Sequence, residues 1–186
     1  MPVPPIEREI KLVYDSVDAA RAAVMAAGAT PLRDRRLQED CLLDTPDGGL
    51  RNRGTALRLR LEGGKSRVTF KGPIQPGVMK VREELETIGG DGEVLLRIFE
   101  ELGFRPWFRY QKYREEFTLL DVIVAVDETP MGAYVELEGS EVGIDAAAAR
   151  LGRARADYVL QSYHTLFDLW RQRTGGAAAD MLFSAE

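Results

Sequence analysis

The sequence predicts an α+β fold: a closed, antiparallel barrel of about eight strands with a polar lumen and helices packed outside it. Three observations lead there. Most of the chain reads as short alternating runs joined by brief Gly- and Pro-containing turns. One side of nearly every run is charged, and a few segments show helical spacing behind a capping residue.

The first strand runs from about Ile6 to Tyr14, after which Ser16 can cap an alanine-rich helix through Met25 that stops at Gly28. Strands follow near Leu37–Leu43, Ala56–Leu61, Arg67–Lys71 and Val78–Thr87, separated by the turns TPDGG (45–49), EGG (62–64) and PIQPG (73–77). Links this short favour antiparallel neighbours. Asp91 is placed to cap a second helix, in which Val94, Leu95, Ile98, Phe99 and Leu102 form an apolar stripe ending at Gly103. Three more strands are expected at Phe108–Leu119, Asp121–Asp127 and Gly132–Glu138. A short helix from Asp145 and a last one from about Ala156 to Arg173 complete the order. Residues 1–173 read as one domain and 174–186 as a flexible tail.

Successive side chains on a strand face opposite ways, so parity separates its two sides. Glu7, Glu9 and Lys11 oppose Ile6, Ile10 and Leu12, with Arg8 out of pattern, and Arg58 and Arg60 oppose Leu57, Leu59 and Leu61. Arg67, Thr69 and Lys71 oppose Val68 and Phe70, while Lys80, Arg82, Glu84 and Glu86 oppose Val81 and Leu85. Lys112 and Arg114 continue the pattern, and Tyr134, Glu136 and Glu138 oppose Ala133, Val135 and Leu137. On any one strand this is the wet face of an ordinary sheet. Across the set, the near-exclusive use of Glu, Arg and Lys fits a barrel better, because closure gathers the stripes into one lumen. Spare carboxylates there suit hard cations, and spare guanidinium and ammonium groups suit phosphate oxygens.

A formal net charge of -5 argues against a protein that wraps nucleic acid. The single cysteine, Cys41, allows no internal disulfide and points to a reducing compartment. The start, MPVPPIEREIK, lacks a signal pattern, and no run of about 18 apolar residues occurs. The expectation is a soluble, cytoplasmic protein with neither nucleic acid nor membrane as partner. Nothing in the sequence speaks to its oligomeric state.

Two Glu-x-Glu pairs, Glu7 with Glu9 and Glu136 with Glu138, put carboxylates about 7 Å apart on one strand face, where they can share ions. In order, the segments EREIK, LRLR, TFKGP, VREELE, KYR, VDETPMGAYVELEG and QSYHTLF resemble the motif series of the CYTH superfamily. These are the triphosphate tunnel metalloenzymes, which include class IV adenylyl cyclases and thiamine triphosphatases. The resemblance covers roughly residues 6–170. It implies metal-site carboxylates at Glu7, Glu9, Glu136 and Glu138, with Asp127 and Glu84 as further candidates, serving Mg2+ or Mn2+. It implies triphosphate ligands at Lys11, Arg58, Arg60, Lys71, Arg82, Lys112 and Arg114, with Lys11, Arg58, Lys71 and Glu136 as the catalytic group.

The expected activity is metal-dependent hydrolysis of a small triphosphate, either inorganic triphosphate or a nucleoside triphosphate. The alternatives are a class IV adenylyl cyclase, making cyclic AMP and pyrophosphate from ATP, and a non-catalytic polyphosphate- or nucleotide-binding module. Retention of both Glu-x-Glu pairs speaks against the last, since a pure anion binder has no use for buried carboxylates. Relatives often carry an aromatic residue before the Asp-Thr-Pro turn, where this chain has Cys41, Leu42 and Leu43. A substrate recognised through its phosphates therefore fits better than thiamine triphosphate. His164 is expected on a helix surface, and Cys41 as a small buried hydrophobe without a partnering His. Tyr158, Tyr163, Phe167 and Trp170 are expected to pack the last helix against the barrel.

Overall fold

The strands close on themselves. A computed structural model describes residues 5–184. Its strands are β1 (Ile6–Tyr14), β2 (Thr30–Asp44), β3 (Ala56–Glu62), β4 (Lys65–Lys71), β5 (Lys80–Gly89), β6 (Arg105–Leu119), β7 (Val122–Thr129) and β8 (Gly132–Glu138). They form one barrel in the order β1-β5-β4-β3-β2-β6-β7-β8, every neighbouring pair antiparallel. The helices are α1 (Val17–Ala26), α2 (Gly92–Glu101), α3 (Glu141–Arg150) and α4 (Tyr163–Thr174). The β3–β4 hairpin turns on Gly63 and Gly64, whose φ angles of 57° and 75° suit the mirror-image turns that match strand twist.

Parity decides the packing. The outward residues Ile10, Leu12, Val124, Val126, Val135 and Leu137 are buried under Ala20 and Val24 of α1 and Ile144, Ala147 and Ala148 of α3. Leu95, Leu96 and Phe99 of α2 cover Cys41, Leu43 and Leu59. The fourth helix behaves differently. Phe108, Tyr110 and Tyr134 share parity with the charged inward residues, and Tyr163 and Phe167 of α4 pack on them. So α4 lies across one end of the barrel rather than along its wall.

Three elements start four or more residues from where the sequence suggests. β2 begins at Thr30 instead of Leu37 and runs for 15 residues beside β6. Its early stretch shows little apolar alternation because ion pairs replace it, Arg35 with Glu128 at 2.7 Å and Arg36 with Glu116 at 2.8 Å. The third helix starts at Glu141, not Asp145, with the Ser140 hydroxyl accepting from Gly143 N. The last helix starts at Tyr163, not Ala156. Val159 instead exchanges backbone hydrogen bonds with Lys11, at 3.0 and 2.9 Å, on the edge of β1 that β5 leaves free beyond Glu9.

The segment after residue 173 also departs from the loose tail expected of it. α4 extends to Thr174, and beyond it Met181 is fully buried among the aromatic residues beneath α4. Met181 N donates to Arg109 O at 3.0 Å and Gln111 N donates to Met181 O at 2.8 Å, while the Asp180 carboxylate accepts from Arg109 N at 2.7 Å. One buried methionine and an unpaired β6 edge are enough to hold it. Among the described residues, no helix is long and apolar enough to cross a membrane.

Candidate functional site

The strand register places the inward side chains of all eight strands in one lumen, and neighbours across the register become ion-pair partners. At the end beneath α4, Asp127 of β7 is fully buried and accepts four charge-assisted or phenolic hydrogen bonds. Lys112 Nζ lies 2.8 Å from its Oδ2, Arg114 grips both oxygens at 2.6 and 2.5 Å, and Tyr163 OH donates at 2.6 Å. Arg114 also bonds Glu136. Lys11 sits between two carboxylates, 3.4 Å from Glu9 and 3.4 Å from Glu136.

In the middle of the barrel, Arg60 forms a two-pronged pair with Asp40 at 2.8 and 3.2 Å. Arg58 is held more loosely. It donates to the neutral Thr69 hydroxyl at 3.0 Å, and its nearest carboxylate oxygen, on Asp40, is 3.4 Å away. Its Nε is buried without a hydrogen-bond partner. A buried guanidinium with unspent donors is costly unless an anion completes it.

Toward the other end, Lys71 reaches Glu7 at 2.8 Å and Glu84 at 2.5 Å, Arg82 reaches Glu7 at 3.2 Å, and Lys80 reaches Glu9 at 2.5 Å. Glu138 stands beside Glu9 in the register with its side chain exposed. The carboxylates divide by their surroundings. Burial works against charge on Glu9, yet Lys11 and Lys80 hold its carboxyl well below the usual range, and Arg114, Lys112 and Lys11 do the same for Glu136. Burial and the charge of Glu9 raise Glu7 despite Lys71. The enclosing wall and the charges of Glu7, Glu9 and Glu84 push Glu138 up to about 7. Burial also brings Lys80 and Lys112 down to about 8.

Glu138, and Glu7 despite Lys71 and Arg82, are thus the lumen carboxylates whose charge burial and neighbouring carboxylates oppose, a donor set that fits a hard divalent cation. Among the described residues, no three acidic, His or Cys side chains already converge as a ligand shell. The groups fit such an ion in chemistry, with the oxygens of Glu7 now turned to Lys71 and Arg82.

The raised Glu138 carboxyl has a stability consequence with a definite sign. The folded chain holds this proton to a higher pH than the unfolded chain does, so folding stability is lost as pH rises from the ordinary 4.5 to about 7. Glu138→Gln removes that loss. In cation-free buffer, its thermal midpoint should rise relative to wild type across this interval and match it in acid. A gap that shrinks as pH rises would contradict the assignment.

Every residue singled out from the sequence lies on the lumen side: Glu7, Glu9, Lys11, Arg58, Arg60, Lys71, Arg82, Glu84, Lys112, Arg114, Asp127, Glu136 and Glu138. Asp40, Gln38 and Tyr163 were missed, and Lys80 appeared on a stripe without a role. The alternation Gln38-Asp40-Leu42 was the available signal, masked by the apolar Cys41–Leu43 run that follows. His164 lies between Trp107 and Phe108 on α4, away from the lumen ion pairs, and burial lowers its pKa. Burial raises the Cys41 thiol to about 11.

The chain is similar to known proteins over most of its length. It is 33% identical over 136 residues to a Methanocaldococcus jannaschii protein described as a candidate adenylate cyclase, covering 73% of this chain and 77% of that one. A Vibrio parahaemolyticus structure, also described as a candidate adenylate cyclase, superposes with a TM-score of 0.76 at 20% identity, covering 89% of this chain and 99% of that one. A Hippeastrum structure, described as a candidate adenylyl cyclase with a dominant triphosphatase activity, gives 0.64 at 19% identity, covering 93% and 97%. These two share the fold. The CYTH domain pattern matches residues 5–163, and with the Methanocaldococcus relative it establishes that this chain belongs to the CYTH domain family.

Proposed function

We propose that the lumen binds the phosphate chain of inorganic triphosphate or a nucleoside triphosphate and hydrolyses its terminal anhydride bond with Mg2+ or Mn2+. The observation that carries this reading is Arg58, a buried guanidinium whose Nε has no partner and whose nearest carboxylate stands off at 3.4 Å. Lys11, midway between two carboxylates, and Arg82, at 3.2 Å from Glu7, are the other loosely committed cations. Phosphate oxygens entering here complete donors that the protein leaves unspent.

In this reading Glu7 and Glu138, with Glu9 and Glu84 beside them, hold the cation toward the end away from α4. When bound, the ion neutralises phosphate charge and favours ionisation of the attacking water. Arg58, Lys11, Lys71 and Arg82 orient the chain and counter charge shifting onto the leaving oxygen as water bonds to the terminal phosphorus and the bridging P–O bond breaks. Arg60, Lys112 and Arg114 are already matched by Asp40, Asp127 and Glu136, which fits them to hold the lumen in shape and set its field. Asp127, saturated by three cationic or phenolic partners, fits a counter-ion better than a metal ligand, and Glu136 shares that position.

The Methanocaldococcus relative favours a second reading, a cyclase that joins the ribose hydroxyl of ATP to its innermost phosphorus. That reaction needs a base and sugar pocket to orient the nucleotide. Leu42, opposite Arg58 in the register, offers no ring for stacking. One chromatographic assay with ATP or triphosphate and either cation separates the outcomes. Orthophosphate in excess of cyclic AMP is expected. Cyclic AMP and pyrophosphate in equal amounts, with little orthophosphate, would establish the cyclase, and binding without any product would establish a binding module.

A further inference from the structure

Gln38 carries an acceptor that phosphate does not satisfy. It faces the lumen from β2, in register with Lys112, and is 1% exposed. The direction of its amide is fixed by Glu62, a carboxylate that only accepts and therefore takes the Nε2 donor. Glu62 is held in turn by Arg36 at 2.9 Å. Burial opposes charge on Glu62, yet Arg36 and Gln38 keep its carboxyl below the usual range, so it stays an acceptor. Gln38 Oε1 is thereby turned away from Glu62, and it is buried with no hydrogen-bond partner among the described residues. A buried carbonyl in that state calls for a donor.

The lumen is two-sided in this respect. In strand order β2 stands opposite β1, four strands away by either route. The loosely committed cations, Lys11 of β1, Arg82 of β5 and Arg58 of β3, have no carboxylate oxygen nearer than 3.2 Å. The cations around Gln38 are held closer: Arg60 lies 2.8 Å from Asp40, Lys112 2.8 Å from Asp127 and Arg36 2.8 Å from Glu116. A phosphate chain suits the first group, whereas the side of Gln38 suits a neutral group that bears hydroxyls. Inorganic triphosphate has no such group. A nucleoside triphosphate has one in its sugar, whose hydroxyl can replace any water on Oε1. With Leu42 further along β2 and no ring there for the base, this contact selects a sugar without orienting it for cyclisation.

Granted the phosphate-binding reading of the lumen, on which this rests, we propose that Gln38 Oε1 accepts a hydrogen bond from a sugar hydroxyl of the substrate. The lumen then selects a nucleoside triphosphate over inorganic triphosphate.

Initial rates of orthophosphate release by the full chain, with Mg2+ or Mn2+, are compared for ATP, for dideoxy-ATP lacking both ribose hydroxyls, and for inorganic triphosphate. Wild type should favour ATP over the dideoxy analogue by about 10- to 100-fold in kcat/KM, the loss expected when a buried acceptor is left without its donor. Gln38→Met, close in size but without an acceptor, should bring the two substrates to within about twofold of each other. Each ratio compares substrates on one protein, so general damage to the fold cancels, and thermal midpoints confirm that the variant is folded. Equal rates on ATP and its analogue in wild type, a higher kcat/KM for inorganic triphosphate than for ATP, or a preference that survives in folded Gln38→Met would overturn the assignment and leave phosphate binding standing. Wild type that releases orthophosphate from none of the three would instead sink the reaction proposed for the lumen, and this assignment with it.

Discussion

Arg58→Ala is expected to lower kcat/KM for the triphosphate substrate by about 10²–10³, the usual loss when one preorganised donor to transition-state charge is removed. Its thermal midpoint should fall only modestly. Both expectations share one cause. Arg58 has an unpartnered Nε, and its carboxylate neighbours Asp40, Glu86 and Glu84 stand off at 3.4, 3.6 and 4.0 Å, so removing it costs the fold less than removing a closely paired cation. In the proposed reading, phosphate oxygens would complete those donors. Arg60, gripping Asp40 at 2.8 and 3.2 Å, should behave in the opposite way. Arg60→Ala is expected to lower the midpoint more than Arg58→Ala does, because it strips the buried Asp40 of its close partner. Steady-state kinetics and thermal unfolding on the two variants decide the matter. Unchanged kcat/KM in Arg58→Ala contradicts the proposed binding role.

The largest loss of stability should come from Asp127→Ala. This carboxylate is fully buried and neutralises Lys112 and Arg114 while accepting from Tyr163. Deleting one member of such a set leaves buried cations uncompensated, a change that typically costs about 3–5 kcal/mol. For a chain of this size that is a fall of about 6–20 °C in thermal midpoint. Asp127→Asn, which keeps the shape and an acceptor for Tyr163, should fall between the two. Added triphosphate should restore part of the loss in Asp127→Ala by supplying the missing negative charge. A midpoint for Asp127→Ala equal to wild type would show that solvent or another carboxylate already compensates the pair.

The barrel was legible in the sequence because its alternation is inverted and consistent: Lys80, Arg82, Glu84 and Glu86 against Val81 and Leu85 can be sorted without knowing any partner strand. Element starts failed where a non-local bond won. Val159 has the spacing of a helical residue, but Lys11, nearly 150 positions earlier, offers its backbone to it. The early half of β2 is polar on both sides, and only Glu116 and Glu128 on distant strands make its arginines part of a sheet. The strength of each lumen pair was equally hidden. Glu9 and Glu138 carry the same residue type one strand apart, yet Lys80 reaches Glu9 alone, and their carboxyls shift in opposite directions. Such differences arise from register between strands that the chain order separates.

With α4 seated over Phe108, Tyr110 and Tyr134, the barrel has a blind end. Among the described residues the opposite rim, marked by the exposed Glu138, carries no such cover and is the side from which a ligand would enter and leave. Under the proposed reading, a polyphosphate longer than the cup could present only a terminus, and that end group would have to stop beside Glu7 and Glu138 rather than travel to the floor beneath α4.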